Sequence, residues 1–204
     1  TDEHLGRVLC WSNDNKRLAY ISETFDSKYN LVIVDIDGGE KTVIDLDIIP
    51  EVSQDKSEAV LITSRCWNPT SERILVTAYQ GFRDHKIYEI FVKDGKDAKN
   101  NVPFEAYNNS PSLRAVAKLV NSDGLLPYWS PSGDSYVFTR NWATQIIDVR
   151  DDKILTRGLT EHLCYDWSPN EKKLLCLGLD MEDRSIYIIS RDGGQKTKIG
   201  IAPL

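Results

Sequence analysis

The residues that could do chemistry are few in this chain, and their spacing does not assemble a reactive site. Its three histidines, His4, His85 and His162, lack the spacing of metal ligands. The sequence contains no G-x-S-x-G nucleophile elbow, no Walker-type loop and no glycine loop of the dinucleotide-binding kind. We therefore expect a protein that is not an enzyme and that uses no cofactor and no metal.

Cysteine spacing indicates buried thiols and not a redox or zinc site. None of the four cysteines forms a C-x-x-C pair. Cys10 and Cys66 each precede a tryptophan at the same place in a repeat, while Cys164 and Cys176 belong to a later one. Buried free thiols behave as small hydrophobic side chains, so we expect free thiols, with disulfides as the alternative. Free thiols would favour a reducing compartment such as the cytoplasm.

Composition indicates an ordinary soluble globular protein. The 204 residues are 41% hydrophobic and 27% charged. The net charge of −6 comes without a cluster of Lys and Arg, which argues against nucleic acid or an anionic membrane as the partner. No apolar run approaches the roughly 20 residues that span a bilayer. Because the chain begins with Thr1, we expect it to be a piece of a longer polypeptide.

Four tryptophans mark a repeated unit that must position any functional residue. They are Trp11, Trp67, Trp129 and Trp167. After each one comes a short turn, then an apolar strand, a polar linker and a second apolar strand. Intervals of 56, 62 and 38 residues separate the tryptophans, whereas a four-stranded unit needs about 40 residues. The first two intervals therefore each contain an insertion.

Glycine turns close the first and fourth repeats. Each has an Asp-Gly-Gly sequence between two strand-forming segments, at Asp37-Gly38-Gly39 and at Asp192-Gly193-Gly194. Glycine adopts a positive φ without steric cost, which makes this a strong hairpin signal. We expect these glycines to be structural, and the four tryptophans to pack inside the repeats.

The repeats divide the chain into one predicted domain over residues 1–204. Their predicted bounds are 7–45, 60–98, 124–157 and 161–200, with insertions at 46–59 and 99–123. The second insertion contains Ser110–Val120, in which Leu113, Val116, Ala117 and Val120 would share one face of a helix. A strand is the competing interpretation of this segment.

The repeats resemble the PD40, or WD40-like, repeats of TolB-type propellers. The first half of that pattern is matched by Trp129-Ser130-Pro131-Ser132-Gly133 and by Trp167-Ser168-Pro169. The second half is matched by Ile186-Tyr187 and by the two Asp-Gly-Gly turns. The second repeat departs from the pattern, since Asn68-Pro69 replaces Ser-Pro, and the first repeat lacks the proline.

This resemblance implies an all-β propeller whose four-stranded blades are either a closed four-bladed ring or a segment of a larger one. It also implies a role in envelope assemblies, or as a sensor or scaffold domain, and it makes a periplasmic location an alternative to the cytoplasm. Further blades or domains of the same polypeptide are then among the expected partners.

Antiparallel strands place every long linker at one end of such repeats. The turns after the first and third strands are tight, while the other connections are long or irregular. Binding residues gather on loops of rigid scaffolds, so we predict that the end with the long connections binds the partner. An aromatic and basic cluster in the second repeat and one aromatic residue in the third are the candidates: Tyr79, Phe82, Arg83, His85 and Trp142.

Three functions agree with these features. The first is a non-catalytic propeller scaffold that binds a protein or peptide through its loop-rich end. The second is an accessory propeller domain of a multidomain enzyme such as a peptidase. The third is a propeller that binds a small ligand or glycan, for which Phe25, Phe82 and Trp142 in equivalent linkers are the supporting residues.

Overall fold

The structure is a computed structural model of the chain. It describes residues 4–24, 26, 28–39, 41–49, 52, 59–80, 84–94, 105–107, 113–121, 123–151, 153–179 and 185–201. Contacts divide the chain into two compact units, Thr1–Pro127 and Tyr128–Leu204, and each is described by itself. No helix in the described ranges has the length and apolar character needed to span a bilayer.

The first repeat is a four-stranded antiparallel sheet in the order of the chain. Its strands are β1 (His4–Trp11), β2 (Arg17–Glu23), β3 (Tyr29–Asp35) and β4 (Lys41–Asp45). Gly38 has a φ of 74° in the turn between β3 and β4, as the Asp-Gly-Gly signal predicts. A short 3₁₀ helix, Leu46–Ile48, follows β4.

The second repeat is a five-stranded sheet in which one strand was not expected. Its strands are β5 (Ala59–Leu61), β6 (Arg73–Gln80), β7 (Asp84–Asp94), β8 (Glu105–Tyr107) and β9 (Leu113–Asn121), in the order β5-β6-β7-β9-β8. The helix interpretation of Ser110–Val120 is wrong for Leu113–Val120, since β9 pairs along the length of β7. The fourth strand of this repeat thus lies inside the predicted insertion at 99–123.

The third and fourth repeats share one sheet, which belongs to the second unit from Tyr128 onward. Its strands are β10 (Leu125–Trp129), β11 (Ser135–Arg140), β12 (Ala143–Asp148), β13 (Ile154–Thr160), β14 (His162–Trp167), β15 (Lys173–Gly178), β16 (Ser185–Ser190) and β17 (Lys196–Ile201). A single parallel pairing between Ala143 and His162 joins the two repeats. Gly193 has a φ of 75° in the last turn. The all-β prediction is confirmed.

The residue that follows each tryptophan closes the first turn of its repeat. The Ser12 hydroxyl accepts a hydrogen bond from the Arg17 backbone N–H at 2.9 Å. In the second repeat, the Asn68 amide oxygen accepts from the Arg73 N–H at 2.8 Å. The equivalent bonds in the other two repeats are Ser135 to Ser130 at 3.3 Å and Lys173 to Ser168 at 2.9 Å. Asparagine therefore replaces serine in the second repeat without loss of this bond.

Three of the four repeated tryptophans are buried, and the first is not. Trp67, Trp129 and Trp167 are 2–3% exposed. Trp11 is 52% exposed, which corrects the expectation that it packs inside the structure.

The expectation of free thiols is wrong. The structure pairs Cys10 with Cys66 and Cys164 with Cys176 as disulfides, and none of the four is free. Cys10 and Cys66 lie at equivalent places in neighbouring repeats, while Cys164 and Cys176 are directly opposite each other on β14 and β15. The argument for a reducing compartment loses its basis, because paired cysteines are typical of oxidising ones.

Candidate functional site

In the first unit, the second repeat brings Tyr79 and His85 together. They face each other across β6 and β7, with ring centroids 4.7 Å apart in an edge-to-face arrangement. Burial raises the pKa of the Tyr79 phenol above its usual value. Gly124 donates its N–H to the His85 carbonyl at 3.2 Å, so this linker and the connection that leaves the repeat lie at the same end. The Tyr79 and His85 rings are thus partly buried and already packed against each other.

The predicted neighbours of this pair, Phe82 and Arg83, lie outside the described residues. The same holds for Phe25, which belongs to the proposed set of equivalent aromatic residues. The aromatic and basic cluster is therefore described only through Tyr79 and His85.

In the second unit, Trp142 lies at the tip of the two-residue turn between β11 and β12. Arg140 and Ala143 pair directly, which leaves only Asn141 and Trp142 in the turn. Their φ angles are 49° and 59°, as a type I′ turn requires. Asparagine tolerates this conformation, but a bulky residue rarely adopts it. The Trp142 side chain is 72% exposed, more than any other large hydrophobic residue of the described part.

The base of this turn is held by hydrogen bonds to the fourth repeat. The Thr144 hydroxyl donates to the His162 carbonyl at 2.9 Å and accepts from the Cys164 N–H at 3.1 Å. The His162 ring lies 5.0 Å from that of Tyr187, and its Nδ1 is 2.7 Å from the Thr160 carbonyl oxygen. Because His162 is only 8% exposed, it acts as an anchor, a role that spacing alone did not reveal.

An open groove of about 710 Å³ lies at the opposite end of the second unit, among the tight turns. Its lining residues are Leu155, Pro169, Asn170, Glu171, Lys172, Ser190, Arg191 and Asp192. The Arg191 guanidinium is bound to Glu171 at 3.2 Å and to the Ser135 hydroxyl at 2.5 Å, and it lies over the Trp167 ring. Its charge is thus already engaged by the protein, and sequence reasoning did not predict this groove.

Charged groups of the described residues do not assemble a reactive centre. No group of three or more His, Cys, Asp or Glu side chains among them could hold a metal ion. Asp148 forms an ion pair with Arg150, whose Nη2 lies 2.6 Å from the carboxylate. That guanidinium holds the pKa of Asp148 well below its usual range. The pair closes a turn and does not face the loop-rich end, since it follows the third strand of its repeat.

Comparison with solved structures identifies the fold. The chain is similar to a TolB-like protein from Agrobacterium tumefaciens (TM-score 0.61, 17% identity, 99% of this chain and 64% of that one). It is also similar to TolB from Acinetobacter baumannii (TM-score 0.58, 16% identity, 96% of this chain and 43% of that one). A prolyl endopeptidase matches with a TM-score of 0.52 and 14% identity, over 98% of this chain and 29% of that one.

The chain thus spans less than two thirds of each of these proteins. No protein-family model and no curated protein matches the sequence. The resemblance found in the repeats is confirmed at the level of the fold: the chain has the β-propeller fold of which TolB is an example.

Proposed function

We propose that the chain is a non-catalytic propeller scaffold that binds a protein or peptide at the loop-rich end of its second unit. In this proposal the four repeats are four blades, and Trp142 is the residue on which the partner docks. The proposal rests on one observation, the exposure of a tryptophan on a rigid two-residue turn.

Three physical arguments support a binding role for Trp142. Tryptophan is among the residues most enriched at binding hot spots, because it buries a large rigid surface. An exposed Trp142 side chain contributes little buried apolar surface to the stability of the fold. Its positive φ also strains the local backbone. Strained residues that persist in a well-defined structure cluster at functional sites. The hydrogen bonds of Thr144 and His162 keep the base of the turn fixed, which lowers the entropy cost of binding.

Selection from a random peptide display library tests the proposal. The immobilised chain is the bait, and phage that bind the Trp142→Gly variant are removed in each round. We expect peptides that bind the wild-type chain and lose at least tenfold in affinity on Trp142→Ala, because a buried aromatic anchor contributes 2 kcal/mol or more.

Tyr165→Ala provides the matched control, since Tyr165 is also an exposed aromatic residue (53%) but lies within β14. Peptide binding should be unchanged in this variant. Peptides that bind Trp142→Ala as tightly as the wild type, or an absence of any enrichment, would contradict the proposal.

A second candidate function is an accessory propeller domain of a multidomain enzyme. The similarity to a prolyl endopeptidase, of which this chain matches 29%, favours it. Sequencing of the gene around the coding region distinguishes the two, because a hydrolase domain in the same reading frame would support the accessory role.

A further inference from the structure

The parallel bridge between the third and fourth repeats places a carboxylate next to Trp142. Ala143, the first residue of β12, pairs with His162, the first residue of β14. Trp142 and Glu161 directly precede this bridge on the two strands, so they hold neighbouring positions at the loop-rich end of the second unit. Adjacent strands of a sheet lie about 4.8 Å apart. One ligand group can therefore contact both side chains.

The backbone of Glu161 is held on both sides. Only this residue separates β13 from β14, and its φ is 64°. Its carbonyl oxygen accepts a hydrogen bond from the Leu179 N–H at 2.8 Å. The preceding carbonyl, that of Thr160, lies 2.7 Å from Nδ1 of the buried His162 ring. A charged side chain on such a fixed connection loses less entropy on binding than one on a mobile loop.

The carboxylate of Glu161 is available to a ligand. The residue is exposed, and none of the residues that the structure describes donates a hydrogen bond to its carboxylate or forms an ion pair with it. By contrast, Asp148 and Glu171 are each paired with an arginine. Arg140, at the base of the Trp142 turn, is partly buried and already has an interaction within the protein. The negative charge of Glu161 is thus left for a partner.

An indole ring beside a carboxylate suits a positively charged group. The face of a tryptophan ring attracts a cation that lies within about 6 Å of its centroid, and a carboxylate binds ammonium or guanidinium groups through charge-assisted hydrogen bonds. An uncharged ligand would leave the carboxylate desolvated without a partner, which is costly. The net charge of the chain, −6 from 31 acidic and 25 basic residues, also favours the approach of a cationic partner.

We propose that Trp142 and Glu161 form one recognition site for a cationic side chain, a lysine or an arginine of the protein or peptide that binds this end. The cation lies over the Trp142 ring and pairs with the Glu161 carboxylate. This inference rests on the proposed function, since it names the chemistry of the group that docks on Trp142. Each contact alone is weak at an exposed site, so recognition requires that both act on the same cation.

Peptides from the display selection described above, taken from those that lose affinity on Trp142→Ala, are the probes. We expect each to contain a lysine or arginine whose neutral isostere, norleucine for lysine or citrulline for arginine, lowers the affinity for the wild-type chain by about tenfold. Glu161→Gln removes the charge and keeps the length of the side chain. It should lower the affinity for the original peptide by about threefold to tenfold, and by less at high salt, which screens the pair.

A double-mutant cycle between peptide and protein is the decisive measurement. Once the peptide carries the neutral isostere, Glu161→Gln should change its affinity by no more than about twofold, because the two substitutions remove the same contact. Asp134→Asn is the matched control, since it removes one exposed carboxylate from the tight turn between β10 and β11. This variant should bind the original peptide like the wild type.

The outcomes separate this inference from the proposed function. Peptides that depend on Trp142 but contain no lysine or arginine, or that bind Glu161→Gln as tightly as the wild type, would overturn the cationic site and leave the scaffold proposal standing. A selection that yields no peptide dependent on Trp142 would overturn both. The isosteric peptides are measured on the wild-type chain, so this arm of the test does not depend on the folding of any variant.

Discussion

Arg17 of the first repeat lies over the ring of Trp67 in the second, with its Cζ 4.8 Å from the ring centroid. Its Nη2 also donates to the Ser71 carbonyl oxygen at 2.6 Å. One side chain therefore joins an aromatic face and a backbone acceptor of the neighbouring repeat. Planar guanidinium groups suit this combination, since they stack on rings while they donate in the plane.

Arg17→Ala should lower the free energy of unfolding by about 1–3 kcal/mol, because it removes a cation–π contact and a charged hydrogen bond. Urea denaturation followed by tryptophan fluorescence measures the change. Arg17→Lys should retain part of the stability, as a lysine keeps the charge but loses the fork. Lys16→Ala, at the exposed neighbouring position, is the control; a loss for Arg17→Ala no larger than that of the control would show that the contact stabilises nothing.

The two disulfides should contribute unequally to stability. Cys10 and Cys66 are 56 residues apart, and Cys164 and Cys176 are 12 apart. A longer loop loses more entropy in the unfolded chain, which gives about 4 kcal/mol for the first bridge and about 3 kcal/mol for the second. Denaturation of the Cys10→Ala/Cys66→Ala and Cys164→Ala/Cys176→Ala variants compares them.

Thiol titration checks the pairing itself. The chain unfolded in denaturant should show no reactive thiol before reduction and all four afterwards. Reactive thiols in the unreduced chain, at the stoichiometry of either pair, would contradict the assignment of that disulfide.

We expect the ionised Asp148 carboxylate to stabilise the fold, so that the free energy of unfolding decreases in acid. Its carboxylate accepts from Arg150 Nε at 3.0 Å and from the Arg150 backbone N–H at 2.9 Å, and these bonds hold its pKa below the ordinary value of 3.8. Because folding lowers the pKa of Asp148, its ionised carboxylate stabilises the fold at any pH above the pKa of the unfolded chain. This stabilisation is lost as the pH falls through the unfolded pKa and towards the folded one.

Melting temperatures between neutral pH and strong acid measure this effect. Asp148→Asn should weaken the acid dependence of the melting temperature relative to the wild type. Added salt should reduce the difference, because Arg150 is 75% exposed and its charge is screened. The exposed Asp37→Asn is the control, and an acid profile of Asp148→Asn that matches the wild type would exclude this role.

The local pattern of the sequence was enough to predict the turns of the repeats. Gly38 and Gly193 have the positive φ expected of their turns, and Asn68 replaces serine because its amide oxygen reaches the same N–H. These features depend on residues close together in the chain, which a single sequence displays directly.

Features that depend on distant partners could not be predicted in this way. Leu113–Asn121 has apolar residues that suit a helix or a strand, and only its pairing with β7 decides between them. Cys10 and Cys66 are joined because neighbouring repeats bring them together. Trp11 shares its motif with Trp67, but burial depends on a neighbouring repeat. The linker of Trp142 was predicted as part of the binding end, whereas its strained turn was not visible in the sequence.

Trp142→Gly should stabilise the fold while it removes the proposed docking residue. Trp142 has a φ of 59° in a type I′ turn, where a non-glycine residue costs about 1–2 kcal/mol and an Asn-Gly pair is preferred. The side chain is 72% exposed, so little packing is lost with it. We expect a gain of about 0.5–1 kcal/mol after the larger unfolded-state entropy of glycine is subtracted.

Thermal unfolding compares this variant with Asn141→Gly, which changes the other residue of the same turn. Asparagine already tolerates a positive φ, so Asn141→Gly should gain less than Trp142→Gly or lose stability. A residue kept at a cost to stability needs a reason outside folding, and partner binding is the one proposed for Trp142. If Trp142→Gly instead lowers the free energy of unfolding by more than about 1 kcal/mol, the range of a lost packing contact, the ring packs against the protein and the docking role loses its support.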